Sequence, residues 1–280
     1  MSDLTVISLG AGVQSTALYL MSCMGEINRA DAAIFADTGW EPKAVYDHLE
    51  WLIDWSNEHG GVPIEVVSKG NIRDDVLNHV SGAAKWSNGQ PPFYVINRET
   101  KDGMSPDTGG SLWRKCTKNY KIDPIHAKIR EMLGYETGQR VKETVTQLMG
   151  ISVDEAHRMK DSGKGWIVNK YPLVDLRMSR HNCQKWLNRN GFPEPPKSAC
   201  IGCPYHANDR WRDMKLHQTD EWDDVVRFDH ALREQPYPGV TGMVYTHRDC
   251  IPIDEVDLTT AEDHGQVDMF SAECEGYCGF

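Results

Sequence analysis

A chain of 280 residues has room for one large domain, or for one domain with a smaller appendage. With 40% hydrophobic residues, 9 Trp, 10 Tyr and 6 Phe, it is too rich in core-forming side chains for a disordered protein, and no run of about 18 apolar residues offers a membrane span. The formal net charge of −11 argues against a protein that grips DNA or RNA along its whole length, and leaves room for a local basic patch.

The opening segment MSDLTVISLGAGVQSTALYL has no basic n-region, and glycines and polar residues interrupt its apolar stretch. It reads as a strand and a turn, not a secretory signal, so a cytoplasmic protein is expected. Residues 4–9 are apolar and β-prone, Gly10-Ala11-Gly12 makes a turn, and a helix pattern starts at Ser15. Residues 32–36 form a second strand ending at Asp37-Thr38-Gly39, residues 43–57 an amphipathic helix, and residues 63–68 a third strand. Strands alternating with helices imply βαβ units and a parallel sheet. Residues 82–112, rich in Gly, Pro, Asn and Asp, read as a long surface loop that could serve as a lid. A helix follows over Pro124–Leu133 and a strand over 144–151; Ser152 and Glu155 have the spacing of a capping box opening another helix. A short helix fits 179–190, and Pro193-Glu194-Pro195-Pro196 breaks it. One long helix fits about 209–234, an extended segment 242–253, and an acidic tail carries Cys274 and Cys278. The expected fold class is α/β, a Rossmann-like parallel sheet flanked by helices, over residues 1–175. A helical region over 176–258 and a cysteine-bearing tail over 259–280 follow it.

The turn between the first strand and helix carries the first chemical signal. Backbone amides at such a turn converge on one spot, the helix dipole adds positive potential, and Gly10 and Gly12 let a phosphate approach. Ser8, Ser15 and Thr16 add hydroxyls, with Gln14 between them; the sequence is neither a Walker A loop nor GxGxxG. By itself it is also compatible with an ordinary tight βα turn. Asp37 and Thr38 stand at the carboxyl end of the second strand, the side on which open parallel sheets bind ligands. Asp37 there suits ribose, base or Mg²⁺, or alternatively a helix N-cap.

SLGAGVQSTA followed by FADTGWEP resembles the PP-loop superfamily, the adenine-nucleotide α-hydrolase-like fold of ATP pyrophosphatases and PAPS/APS reductases. Arg114-Lys115-Cys116-Thr117 through Lys121-Ile122-Asp123-Pro124-Ile125 resembles the R-x-C-T…K-x-x-P segment of the PAPS-reductase-like branch. Gly150-Ile151 with Asp154-Glu155 and Arg158, then Tyr171-Pro172-Leu173 and Gly191-Phe192-Pro193, resemble its later stretches in the same order. The resemblance implies ATP, APS or PAPS at the glycine turn, with Arg158 as a phosphate or sulfate ligand. Gln14 stands where ATP pyrophosphatases carry Asp, and Ala11 and Val13 also depart from the signature. Nucleotide binding is therefore implied ahead of pyrophosphate cleavage.

With no secretory signal read at the N-terminus, a disulfide framework is not expected for the eight cysteines; some read as ordinary buried thiols, and the spacing of others suggests metal or redox chemistry. Cys200-Ile201-Gly202-Cys203 has a spacing that can hold one metal or two irons of a cluster. Cys116 lies 84 positions earlier, a separation resembling that of APS reductases, which hold a [4Fe-4S] cluster through a Cys-Cys pair and a later CxxC. Thr117 follows Cys116 here, so three ligands remain: Cys116, Cys200 and Cys203. Either a fourth comes from Cys183, Cys274 or Cys278, or one iron stays open for sulfide, as the resemblance implies for cluster-dependent thiolation enzymes. Zinc held by the three cysteines and His206 is the alternative metal. Arg114, Lys115, Lys118 and Lys121 form a basic setting. The tail around Cys274 and Cys278 partly resembles the catalytic tail of sulfonucleotide reductases.

Three functions follow. The first is an ATP-dependent sulfurtransferase that adenylates and thiolates an acceptor such as a nucleobase. The second is an APS/PAPS reductase using a tail cysteine. The third is a non-catalytic nucleotide-binding partner module. The expected partners are an adenine nucleotide, a sulfur donor or dithiol reductant protein, and a nucleobase or nucleic-acid acceptor; a homodimer is allowed and a membrane is not.

Overall fold

Strand β1 (Thr5–Leu9) has Val6, Ile7 and Leu9 buried, so both its faces are covered, as expected for a central strand of a parallel sheet. In the computed structural model, which describes residues 4–84, 90–97, 108–260 and 263, it leads through Gly10–Gly12 into α1 (Val13–Met24). There follow β2 (Ala32–Asp37), α2 (Lys43–His59), β3 (Ile64–Ser68), α3 (Ile72–Val80), β4 (Tyr94–Asn97) and β5 (Thr108–Ser111). A π-helical turn, Thr117–Ile122, runs into α4 (Asp123–Met132), and β6 (Val145–Met149) precedes a 3₁₀ turn, Val153–Arg158. The chain continues through β7 (Ile167–Lys170), α5 (Pro172–Asp175), α6 (Arg180–Arg189), α7 (Asn208–His217), α8 (Thr219–Ala231) and β8 (Met243–Tyr245).

Five parallel strands pair in the order β3-β2-β1-β6-β7. The chain winds outward from β1 to β3 and then returns to pair β6 on the other side of β1. At that reversal the connections leaving β1 and β6 diverge, which opens a crevice at their carboxyl ends. The register sets Ser8 opposite Met149. One face of the sheet packs on α1, α2 and α6 through Ile7, Leu9, Ala33 and Phe35; the other packs on α4 through Val6, Ile34, Ile125 and Ile129. The result is the three-layer α/β architecture expected.

A second core lies beside this one. Strands β5, β4 and β8 pair antiparallel, and Phe93, Tyr120, Trp211, Trp222 and Phe228 pack with Trp40, Ile72 and Val76. Asp229, fully buried, ties this region together by accepting from Thr246 N at 2.9 Å and Ile253 N at 3.1 Å, and by pairing with Arg233. Both cores draw on residues from either side of position 175: α6 packs on α1, and the second core takes Ile72, Phe93 and Tyr120 from the earlier part.

Several expectations need correction. The described part of 82–112 is not only loop, since it supplies β4 and β5 and buries Phe93. The segment 209–234 is two helices broken at Gln218 (φ −131°, ψ 57°). Lys215 and His217 end α7 while Asp220 and Glu221 begin α8, so each half has its own dipole-matched ends. Ser152 does not cap a helix; Glu155 is drawn to Gln14 and Arg158, and only a 3₁₀ turn forms. In 242–253 only Met243–Tyr245 is a strand.

Candidate functional site

The crevice at the sheet reversal is walled by Ser8, Gly10, Gly12, Gln14 and Ser15 on one side and by Met149, Gly150 and Ile151 on the other. The turn is held open by local bonds: Gly12 N donates to Ser15 Oγ, and Ser15 Oγ donates to Gly12 O, each at 3.2 Å. Ala11 takes a positive φ of 57°. Gly150 is required by close approach, because a Cβ there would lie 2.8 Å from Ser15 Cα and Ser15 N. Gln14, buried, donates through Nε2 to Glu155 Oε2 at 3.3 Å, and Glu155 pairs in turn with Arg158. Arg158, Glu155, Ser198 and Lys121 complete the wall. The N-terminus of α1, hydroxyls and two cations on one concave surface can take phosphate.

A second cavity opens beside it and is lined by Cys116, Cys200 and Cys203, with Thr38, Trp40, Arg114, Lys121 and Tyr205. Lys121 belongs to both walls. Cys116 precedes the π-helical turn, its amide bonded to Gln90 O at 3.3 Å. The Cys200–Cys203 turn is closed by Cys203 N to Cys200 O at 3.1 Å and tied to the β2–α2 connection by Ile201 N to Trp40 O at 2.9 Å. Gly202 packs on the Trp40 ring, where a Cβ would approach to 2.1 Å. Under the turn lies Glu41, 3% exposed; its Oε1 accepts from Thr38 Oγ1 at 2.9 Å, lies 3.2 Å from Lys121 Nζ and faces Cys200 Sγ at 3.7 Å. Thr38 Oγ1 is itself 3.3 Å from Cys200 Sγ.

Of the residues singled out in the sequence, Ser8, Gly10, Gly12, Gln14, Ser15 and Arg158 share the first cavity. Thr38 lines the second cavity instead. Thr16 points into the core, 3.1 Å from His48 Nε2. Asp37 is not on either wall; its Oδ1 accepts from Gly39 N and Tyr46 OH, each at 2.8 Å, so it closes its own turn. Burial, reinforced by Asp37, raises the Tyr46 pKa and keeps that hydroxyl a donor. Cys116, Cys200 and Cys203 are brought together. Cys183 is not with them: it is fully buried against α1, and burial pushes its thiol up to about 12. His206 stands below the CxxC turn with Nε2 3.0 Å from Cys200 O; burial, then nearby Arg210, draw its pKa down to about 4. Cys274 and Cys278 lie outside the described residues.

Glu41, Ser198 and the close fit at Gly150 were missed from sequence. A glycine directly after a strand was the available signal for Gly150; nothing local marks Glu41. Among the described residues no group of three or more His, Cys, Asp or Glu side chains is arranged to hold a single metal ion, and no helix is long and apolar enough to cross a membrane. The sequence matches no protein-family model and no curated protein.

Proposed function

We propose that this chain is an adenine-nucleotide-binding enzyme of sulfur chemistry, of the PP-loop type its sequence resembles, which adenylates and thiolates an acceptor such as a nucleobase. The observation that carries the proposal is the shared wall: a phosphate-suited crevice and a three-cysteine cavity lie side by side, with Lys121 lining both. A phosphate chain at the α1 turn would meet the Ser8 and Ser15 hydroxyls and Arg158. The acceptor carbonyl oxygen attacks the α-phosphorus of ATP, the α–β P–O bond breaks, and pyrophosphate leaves. Hydrosulfide then adds to the same carbon, and AMP departs with the former carbonyl oxygen, leaving C=S and a proton. Sulfur keeps its oxidation state throughout, so no external reductant is needed.

Within this reading the three thiols support a [4Fe-4S] cluster over a single ion. Its three thiols come from two separate segments around a partly apolar wall, and thiolates on a cluster each bind a different iron, so they need not crowd one point. Cys116, Cys200 and Cys203 would hold the cluster, which when bound supplies an iron free of protein ligands where sulfide can be taken up. Lys121 and Arg114 would offset the negative charge of that cavity.

The test uses anaerobically purified, iron-loaded protein with ATP, sulfide and a panel of oligonucleotides carrying thiolatable bases. AMP and pyrophosphate that appear only with acceptor are the expected result. No AMP with any acceptor overturns the proposal, and sulfite release from APS or PAPS in the same preparation replaces it with sulfonucleotide reduction.

A further inference from the structure

Ser198 lies over both glycines of the α1 turn. A Cβ on Gly12 would meet Ser198 Oγ at 2.6 Å, and a Cβ on Gly10 would lie 3.8 Å from the same oxygen. Gly12 has φ −100° and ψ −179°, a conformation open to other residues, so the close approach of Ser198 and not the backbone requires glycine there. The Ser198 side chain shares the crevice wall with Ser8, Ser15 and Arg158.

Ser198 belongs to the segment that carries the CxxC cysteines. It lines the phosphate-suited crevice, while the next two residues, buried Ala199 and Cys200, line the cysteine cavity. Two residues of chain span at most about 7 Å, so the segment passes from one cavity to the other within that reach. It is held at both ends. Upstream, Pro193, Pro195 and Pro196 fix their own φ, and Pro195 is buried. Downstream, Ile201 N donates to Trp40 O at 2.9 Å and Gly202 packs on the Trp40 ring. The freedom left lies at residues 197–200, so the seat of Ser198 sets the seat of Cys200.

We propose that Ser198 is a phosphate-binding residue through which bound nucleotide fixes the Cys200–Cys203 turn. Its hydroxyl donates to a phosphate oxygen at the α1 turn, and holding it there holds Cys200 two residues on. The inference rests on the nucleotide half of the function proposed above and not on its sulfur chemistry.

The test uses the metal-free full chain. Calorimetric titration with ATP gives affinity, and iodoacetamide labelling read by peptide mass gives the rate at each cysteine. Saturating ATP is expected to slow labelling of Cys200 at least threefold and to leave Cys23, in the last turn of α1, unchanged. Ser198→Ala should weaken ATP binding about tenfold, as for loss of a hydrogen bond to a charged group, and at saturating ATP its Cys200 should label as fast as without nucleotide. In Gly12→Ala the methyl displaces the Ser198 hydroxyl and should give the same two changes. The Gly12→Ala, Ser198→Ala double variant should then bind ATP no more weakly than Gly12→Ala alone. Wild-type ATP affinity in Ser198→Ala, Cys200 protection that persists in that variant, a Cys200 rate in wild type that ignores bound ATP, or an additive loss in the double variant overturns the proposal. No ATP binding by wild type overturns it together with the adenylation reading. ATP control of Cys200 through Ser198, with no AMP formed on any acceptor, removes sulfur transfer and leaves the role of Ser198 standing.

Discussion

Lys121 Nζ lies 3.2 Å from Glu41 Oε1, and the Glu41 side chain is only 1% exposed. The contact joins the π-helical turn to the β2–α2 connection under the cysteine cavity. Removing one member of a buried ion pair leaves the other charge without compensation, which costs about 3 kcal/mol or more. Lys121→Met should therefore destabilise the protein by about that amount, while the Lys121→Met, Glu41→Gln double variant should recover part of the loss. Urea unfolding of the four proteins in the cycle measures it. A Lys121→Met variant as stable as wild type would show that the pair contributes nothing.

Gly150→Ala separates the crevice from the fold around it. The added methyl meets Ser15 backbone at 2.8 Å, where α1 begins, so the end of β6 and the turn must move apart. Nucleotide affinity should fall at least tenfold, with a stability loss of about 1–3 kcal/mol from overpacking. Calorimetric titration with ATP beside thermal unfolding measures both. Unchanged affinity would mean that nucleotide does not occupy this turn.

The parallel sheet was legible because its strands carry apolar runs at regular spacing and its turns carry glycines. The pairing of β4 with β5 was not, since Gly109 and Gly110 look like loop and are strand only through their partners in β4, as Gly110 is with Val95. The break at Gln218 was hidden because no proline or glycine marks it. At the site, the glycine turn and the CxxC pair could be read from local pattern, and Cys116 from its separation from that pair. Glu41 could not: its burial beside Cys200 and Lys121 depends on contacts spanning 159 positions in one case and on the placement of the π-helical turn in the other. Thr16 and Asp37 have the right residue type in the right segment, yet one faces His48 and the other its own turn. A motif places a residue in a segment; the side-chain direction is settled by neighbours far along the chain.

The cysteines divide by location, and iron retention should divide with them. Cys116→Ala, Cys200→Ala and Cys203→Ala each remove a thiol from one cavity and should each lower the iron retained after anaerobic reconstitution by at least half. Cys183→Ala should leave iron unchanged and cost about 1 kcal/mol or more of stability through a void against α1. Iron and acid-labile sulfide per chain, with the visible absorption of the proposed cluster, are the readouts. Full iron in any of the first three variants would remove that residue from the ligand set.

The folded protein should lose stability as pH falls from about 6.5 to about 4. Burial lowers His48 and His126 from the ordinary 6.5 to about 4; for His126, nearby Lys164 adds to the effect. Neither ring nitrogen of His126 has a hydrogen-bond partner among the described residues, so its site offers a proton little compensation. Below pH 6.5 the unfolded chain takes up these protons while the folded chain holds them off, so unfolding binds protons and stability rises with pH through this window. The contribution is complete above the unfolded value, and below about 4 the two imidazoles add no further slope. Urea unfolding from pH 7.5 to 4.5 should give a proton uptake approaching two from these side chains near the middle of the window, with His206, also drawn down to about 4, adding up to one more. His126→Leu, which fills the site without a titrating group, should reduce that uptake by about one. An unchanged uptake in His126→Leu would show that His126 titrates alike in the folded and unfolded chain.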